Sequence, residues 1–354
     1  MRRTIRASFA AALTLGLALA AAGCSASPDT SDDTAGTTGA ADFGALDIQL
    51  SFTKNVQNAG EYIADTDGYY ADAGFDAVTL IAGPTGVEAA IASGKVTVGL
   101  SSVIGSASAI VNEEMPIRIV GVRDVRNIFG IISVEGPDAI ETPEDLEGKR
   151  IAVNPGTAQL MTEALAKANG VDPSTITFVP GDGQTVALLA NGDVDGIFGL
   201  PASDPYYLAQ KGVEAHVLGL DENGLAVGGS VFAVSEQTLT ESRELVKAFL
   251  LAEIRGWKDA IADPERGAKL AVDEYGADLG LDLESEIARG KAQIPYILTD
   301  ETAANGLFLL SDDMIESNLA ALKVAGIDID ADRLFDMSLL QEIYEENPDL
   351  VATP

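Results

Sequence analysis

The hydropathy pattern of this chain predicts an α/β fold of two lobes, each built on a mainly parallel sheet flanked by helices. Three observations carry that reading. Short β-rich runs alternate with alanine-rich helical stretches between residues 47 and 121; a second such series fills 129–234; the remainder is almost wholly helical. Alternating β and α segments imply strands that run the same way, because each helix returns the chain to the starting end of the sheet.

The elements follow in order. In the first series the expected strands are 47–52, 77–81, 96–100 and 117–121, separated by helices over 58–65, 86–93 and 104–112. In the second, strands over 129–134, 150–153, 176–179, 196–200 and 215–218 are separated by helices near 158–168, 184–191 and 204–210. A glycine-led strand, 228–234, precedes the helical tail. No repeat of solenoid or propeller period is present.

The start of the chain is a different kind of segment. Arg2, Arg3 and Arg6 form a basic head, residues 10–22 carry no charge, and Ala21-Ala22-Gly23 leads into Cys24, the single cysteine of 354 residues. Charged, apolar and small segments in that order define a secretory leader, too short for a stable membrane span. Small residues ending at a cysteine resemble the lipobox of bacterial lipoproteins, although position 21 is Ala where Leu is commoner. The resemblance implies acylation of Cys24 and cleavage before it, which also disposes of an unpaired thiol in a secreted chain. Residues 25–41 are small, polar and acidic, the composition of a disordered tether.

Removing the leader takes three arginines and no acid, so the net charge moves from −33 to −36. Such a surface repels nucleic acid and anionic lipid. One cysteine excludes a disulfide framework, so packed cores must supply the stability, and a chain of this length suits two domains.

Four local patterns carry a family resemblance: Gly68-Tyr69-Tyr70 through Gly74-Phe75-Asp76, Ala92-Ser93-Gly94-Lys95 through Gly99-Leu100, Thr142-Pro143-Glu144-Asp145-Leu146-Glu147-Gly148-Lys149, and Asn191-Gly192-Asp193-Val194-Asp195-Gly196. Each is a helix, a glycine reversal and entry into a buried strand. Their order over about residues 47–235 resembles bacterial ABC-transporter substrate-binding proteins of the thiamine-pyrimidine-precursor, alkanesulfonate and nitrate family. The resemblance implies a type II periplasmic-binding-protein fold with two crossover segments, near 126–131 and 225–230, and glycines 224, 228 and 229 that let the second bend. The expected division is a leader over 1–23, a tether over 24–45, lobe 1 from 46–130 and 231–354, and lobe 2 from 131–230.

Ligands of open α/β sheets sit beyond the carboxyl ends of the strands. In lobe 1 that rule selects Phe52, Asn55 and Asn58. Pyrimidine-binding family members carry Trp, Asn and His-Ala-Gly through this stretch, so Phe52 supplies a stacking face and Asn58 stands in place of the His. An amide offers both donor and acceptor to a heterocycle; either Asn serves equally as a helix cap. Ser101 and Ser102 follow the third strand and are placed to present hydroxyls or to cap the next helix. In lobe 2, Asn154, Gly156 and Thr157 open a helix whose free N–H groups suit a polar heteroatom, and Asp204, also a capping candidate, stands where relatives pair with amino groups.

Catalysis finds little support. The single His216 lies inside a β-rich run, and with one Cys and one His no zinc cluster or Cys/His dyad can be assembled. Ser51-Phe52-Thr53-Lys54 fits Ser-x-x-Lys but closes a strand instead of opening a helix, with no Lys-Thr-Gly after it. Gly83-Pro84-Thr85-Gly86 lacks the Gly-Lys-Ser/Thr ending of a phosphate loop. Asp193-Val194-Asp195-Gly196 lacks the further ligands of a calcium loop. Eukaryotic relatives that build the thiamine pyrimidine carry Lys, and four residues on His, where this chain has Ser101 and Gly105. The resemblance therefore implies a monomeric, lipid-anchored, extracytoplasmic receptor without cofactor or metal. It would deliver a small polar heteroaromatic solute to the transmembrane subunits of an ABC permease. A small anion such as an alkanesulfonate or nitrate is the alternative cargo, and a secreted enzyme using the same cleft the alternative class.

Overall fold

The computed structural model describes residues 42–83, 86–154 and 157–351. The leader, Cys24 and Gly156 lie outside the described residues.

Among the described residues, ten strands form two five-stranded sheets. The first has the order β2-β1-β3-β10-β4, with β1 Gly44–Gln49, β2 Phe75–Ile81, β3 Val98–Ser102, β4 Ile117–Val122 and β10 Ser230–Ser235. The second has the order β7-β6-β8-β5-β9, with β5 Gly130–Val134, β6 Arg150–Val153, β7 Thr177–Pro180, β8 Gly196–Gly199 and β9 Ala215–Gly219. One strand in each sheet runs against the others, β10 between β3 and β4 and β5 between β8 and β9. These two are the strands the chain enters after crossing from the other sheet, so it arrives at the end where its neighbours finish. β10 is buried at all six positions, as a central strand covered on both faces must be.

Strand alternation divides the second lobe's core. Ile131 joins the large cluster shared with the first sheet, while Ile132 faces a separate group with Ala152, Leu189, Val194, Ile197 and Leu208. In the first lobe the helix Ala59–Thr66 lies on the 20-residue helix Arg243–Ala262. Glycines make that approach possible: a Cβ on Gly256 would stand 2.3 Å from the carbonyl oxygen of Gly60, and one on Gly60 would strike the Trp257 ring.

Two boundaries differ from expectation. β1 begins at Gly44 and leaves the sheet after Gln49, so Phe52 sits in a bend, not at a strand end. β3 runs on through Ser102, because β10 pairs with it as far as Ser230. The glycines of the second crossover also act differently. Gly228 and Gly229 have ordinary φ, and a Cβ there would meet Val122 at 2.9 Å and Asp124 at 3.0 Å. They let the two crossovers lie against each other, and only Gly224 adopts a left-handed conformation. Gly229 donates to the Asp124 carbonyl at 2.7 Å, Arg123 N–H to the Ser230 carbonyl at 2.9 Å, and Asn127 Nδ2 to the Leu225 carbonyl at 2.8 Å.

Candidate functional site

The carboxyl ends of the strands of both sheets converge on one cleft. Gln57 comes from the turn after β1, Arg123 and Asp124 follow β4, and Leu200, Ala202 and Ser203 follow β8. The fourth wall is the helix Leu283–Ile297, which contributes Arg289, Gln293 and Tyr296 at spacings of four and three, hence from one face. The space between them is about 30 Å³, room for one or two waters, so a solute requires the lobes to part. Wider depressions of about 340 and 420 Å³ lie elsewhere, with Arg333 paired to Glu236 in one and Arg126 to Asp221 in the other.

Local chemistry shapes the lobe 1 edge. Asn55 caps a short 3₁₀ turn, Val56–Asn58, by accepting the Gln57 N–H at 2.9 Å. That turn is clamped to the far wall: Val56 N–H donates to Glu286 Oε2 at 2.8 Å, and Gln293 Nε2 donates to the Val56 carbonyl at 3.1 Å. Gln57, in the middle of this turn, lines the cleft.

Two buried guanidiniums line the cleft. Arg289, 8% exposed, gives one of its five N–H donors to Glu286 at 2.6 Å and lines the cleft. Asp204 and Tyr207, on the helix Asp204–Gln210, feel its charge. Burial raises both of their pKa values, and the positive charge of Arg289 opposes each shift. Arg123 is held by Asp124 at 3.1 and 3.3 Å, by the Gln57 carbonyl at 2.9 Å and by Ser230 Oγ at 2.8 Å. Burial also raises the pKa of the Tyr296 phenol, keeping it a donor.

None of the described residues selected from sequence belongs to this lining. Phe52 is 51% exposed in its bend. Asn58 donates to the Thr53 carbonyl at 3.2 Å and to the Tyr62 hydroxyl at 3.4 Å, and its buried Oδ1 has no partner. Ser101 turns inward to donate to Glu88 at 2.5 Å and accepts from Ser106. Ser102 caps the helix Val103–Glu113 through the Gly105 N–H. Asn154 accepts from the Gly183 N–H at 3.1 Å, and Thr157 is the exposed first residue of the helix Thr157–Ala168. Asp204 accepts the Leu200 N–H at 2.8 Å, and Gly199 has no Cβ to block its approach.

Gln57 and Ser203 are thus sequence neighbours of chosen residues, whereas Arg123, Asp124, Arg289, Gln293 and Tyr296 were missed. The strand-end rule applied to β4 would have found Arg123 and Asp124, a charged pair straight after a buried strand. No local signal marks Arg289, because only packing brings its helix to the cleft. His216 lies on β9, 3.5 Å from Glu135 and away from the cleft.

Two lobes, crossovers linking them and a polar cleft at the strand ends define the two-lobed periplasmic-binding-protein fold. The chain belongs to the NMT1/THI5 like family, which it matches over residues 55–267. It is similar to the riboflavin-binding protein RibY of Chloroflexus aurantiacus, 26% identical over 287 residues, covering 79% of this chain and 80% of that one. It is also similar to the 4-amino-5-hydroxymethyl-2-methylpyrimidine phosphate synthase of Schizosaccharomyces pombe, 24% identical over 237 residues, covering 64% and 68%. Among solved structures, the periplasmic nitrate-binding protein NrtA of Synechocystis PCC 6803 shares the fold at a TM-score of 0.65 and 14% identity, covering 87% of this chain and 90% of that one.

Proposed function

We propose that this protein is the extracytoplasmic solute receptor of an ABC importer, and that its cargo is a small heteroaromatic ring bearing hydrogen-bond acceptors. One observation carries the reading: the cleft at the strand ends combines buried donors on Arg289 with the amides of Gln57 and Gln293, the Ser203 hydroxyl and the Tyr296 ring. A ring carbonyl takes charge-assisted bonds from a guanidinium, and a flat ring gains by stacking on a phenol. The relative named for riboflavin supports a cargo of this class. In this reading the lobes part to admit the solute, close over it and dock on the permease. Cys24 carries the lipid that keeps the monomeric receptor at the membrane, lobe 1 comprises 46–130 and 231–354, and lobe 2 comprises 131–230.

Arg289 and Arg123 also favour a second cargo, a small anion, and the nitrate-binding neighbour has the same fold. Two buried guanidiniums at one cleft give an anion the charge-assisted bonds it needs. An enzyme reading has less support, since Ser101 is engaged with Glu88 and Gly105 carries no side chain.

Mass spectrometry of the solute released from purified protein, followed by calorimetric titration, tests the proposal. Riboflavin or an aminopyrimidine should bind and be recovered unchanged, and should stabilise the fold as RT ln(1 + [L]/Kd) requires. Binding of taurine or nitrate with no response to the rings would establish the anion reading instead, and turnover of the ring would establish an enzyme.

A further inference from the structure

Arg123 is the point where the cleft wall, both crossovers and a buried acidic cluster meet. Its Nη1 donates to the Gln57 carbonyl, its Nη2 to Ser230 Oγ on the second crossover and to Asp124 on the first, and its guanidinium lies 5.0 Å from the centre of the Trp257 ring. With Asp124 bound at two positions, that pair is neutral in charge and satisfied in hydrogen bonding.

A second carboxyl, Glu61, approaches the same guanidinium from the helix Ala59–Thr66, at 3.7 Å. It is completely buried, and neither of its oxygens has a hydrogen-bond partner. Groups from each packed element face it. Glu253, equally buried, comes from the helix Arg243–Ala262 and accepts the Tyr70 hydroxyl through one oxygen while the other is unpartnered. Trp257, from the same helix, has an indole N–H with no partner at full hydrogen-bond geometry, yet near enough to Glu61 to pull its pKa down. Asp124 stands on the crossover side, and Arg123 is the cation facing the group. Were Glu61, Glu253 and Asp124 all ionised, one guanidinium would face three buried negative charges, an arrangement whose desolvation cost far exceeds its attraction. Burial raises the pKa of both glutamates, that of Glu61 to about 7 against the pull of Arg123.

We propose that Arg123 is a positioning residue for the cleft edge and the hinge, and that a proton on Glu61 sets it. With Glu61 neutral, Arg123 stays on Gln57, Asp124 and Ser230 and holds the binding turn and both crossovers as one unit. When Glu61 releases its proton to solvent, the bare carboxylate has one cation within reach, and Arg123 is drawn toward it from the Gln57 carbonyl and Ser230. Rising pH therefore loosens the hinge. The device depends on the hinge geometry and not on the identity of the cargo, so its test uses no solute.

Trp257, the single tryptophan of the chain, supplies a direct readout. Its emission, followed from about pH 5 to about pH 9, should titrate with a midpoint near neutrality. Hydrogen-exchange protection of the Arg123, Asp124 and Gly229 amides, corrected for intrinsic rates, should fall about tenfold over the same range. In Glu61→Gln both signals should be flat and the hinge amides protected at every pH. Emission and protection that do not vary with pH in the wild-type protein would overturn the proposal, whether or not the variant folds. So would the same titration persisting in Glu61→Gln.

Discussion

Substituting Gly256 with Ala tests how closely the cleft edge depends on one helix crossing. The added Cβ would stand 2.3 Å from the Gly60 carbonyl oxygen, 2.8 Å from Ala64 Cβ and 3.0 Å from Ala64 N. Carbon atoms in contact prefer about 3.5–4.0 Å, so the overlap is on the order of 1 Å. Two of the three atoms are backbone, and no rotamer change relieves them; the helices must separate. Alanine gains about 1 kcal/mol in helix propensity over glycine, while overpacking of a tight core costs about 1–3 kcal/mol and more where backbone must move. Separation also strains the bond from Arg123 to the Gln57 carbonyl, since Gln57 leads into the displaced helix. A net loss of about 2 kcal/mol is expected, read as a lower urea midpoint at unchanged slope, together with weaker solute binding. Gly290→Ala is the internal comparison: its Cβ would meet Val56 Cγ2 at 3.1 Å and the Pro264 carbonyl at 3.3 Å, a milder contact, and it should cost less. A Gly256→Ala protein as stable as wild type, or more so, would refute the reasoning.

Four further outcomes are expected. Arg289→Gln should weaken solute binding roughly 10–100-fold, the worth of a charge-assisted bond, and should destabilise the fold by leaving Glu286 buried without its cation; adding Glu286→Gln should restore stability but not binding, as denaturant melts and calorimetry would show. Glu61 is held protonated in the folded state up to about pH 7, against about 4.5 when unfolded, so its contribution is fully present at low pH and is lost as pH rises between those values. On the order of 3 kcal/mol is at stake, Glu253 acts in the same direction, and urea melts across that window should slope less steeply in Glu61→Gln. Tyr296→Ala, which removes the phenol from the cleft lining, should lower affinity for a ring-shaped solute by about 1–3 kcal/mol in a titration. Cys24→Ser should abolish acylation, so radiolabelled fatty acid incorporated at wild-type level would remove the lipoprotein reading.

Local periodicity was enough for most of the elements. The β/α alternation over 47–234 located all ten strands to within a few residues, because period-two burial and glycine reversals are encoded by neighbours along the chain. The same locality explains the misplaced end of β1. Leu50–Phe52 reads as a continuation of the strand, but β2 offers partners only as far as Ile81, opposite Gln49.

The candidate site divides along the same line. Strand-end reasoning selects loops, and in them Asn55, Ser102 and Asp204 serve the backbone by accepting from the N–H groups of Gln57, Gly105 and Leu200. Which side chain of such a loop faces the cleft depends on which one the adjacent N–H groups capture, and that is settled only when the turn closes. Alternation of β and α, the glycine reversals, the acidic charge and the family pattern were therefore determined by sequence alone. The tertiary structure decided that Arg289, Gln293 and Tyr296 complete the cleft and that Glu61 sits unbonded beside Arg123. Those placements join residues up to about 230 positions apart, Val56 to Glu286 among them. They are set by packing of whole helices, where the free energy belongs to surfaces that no short window of sequence contains.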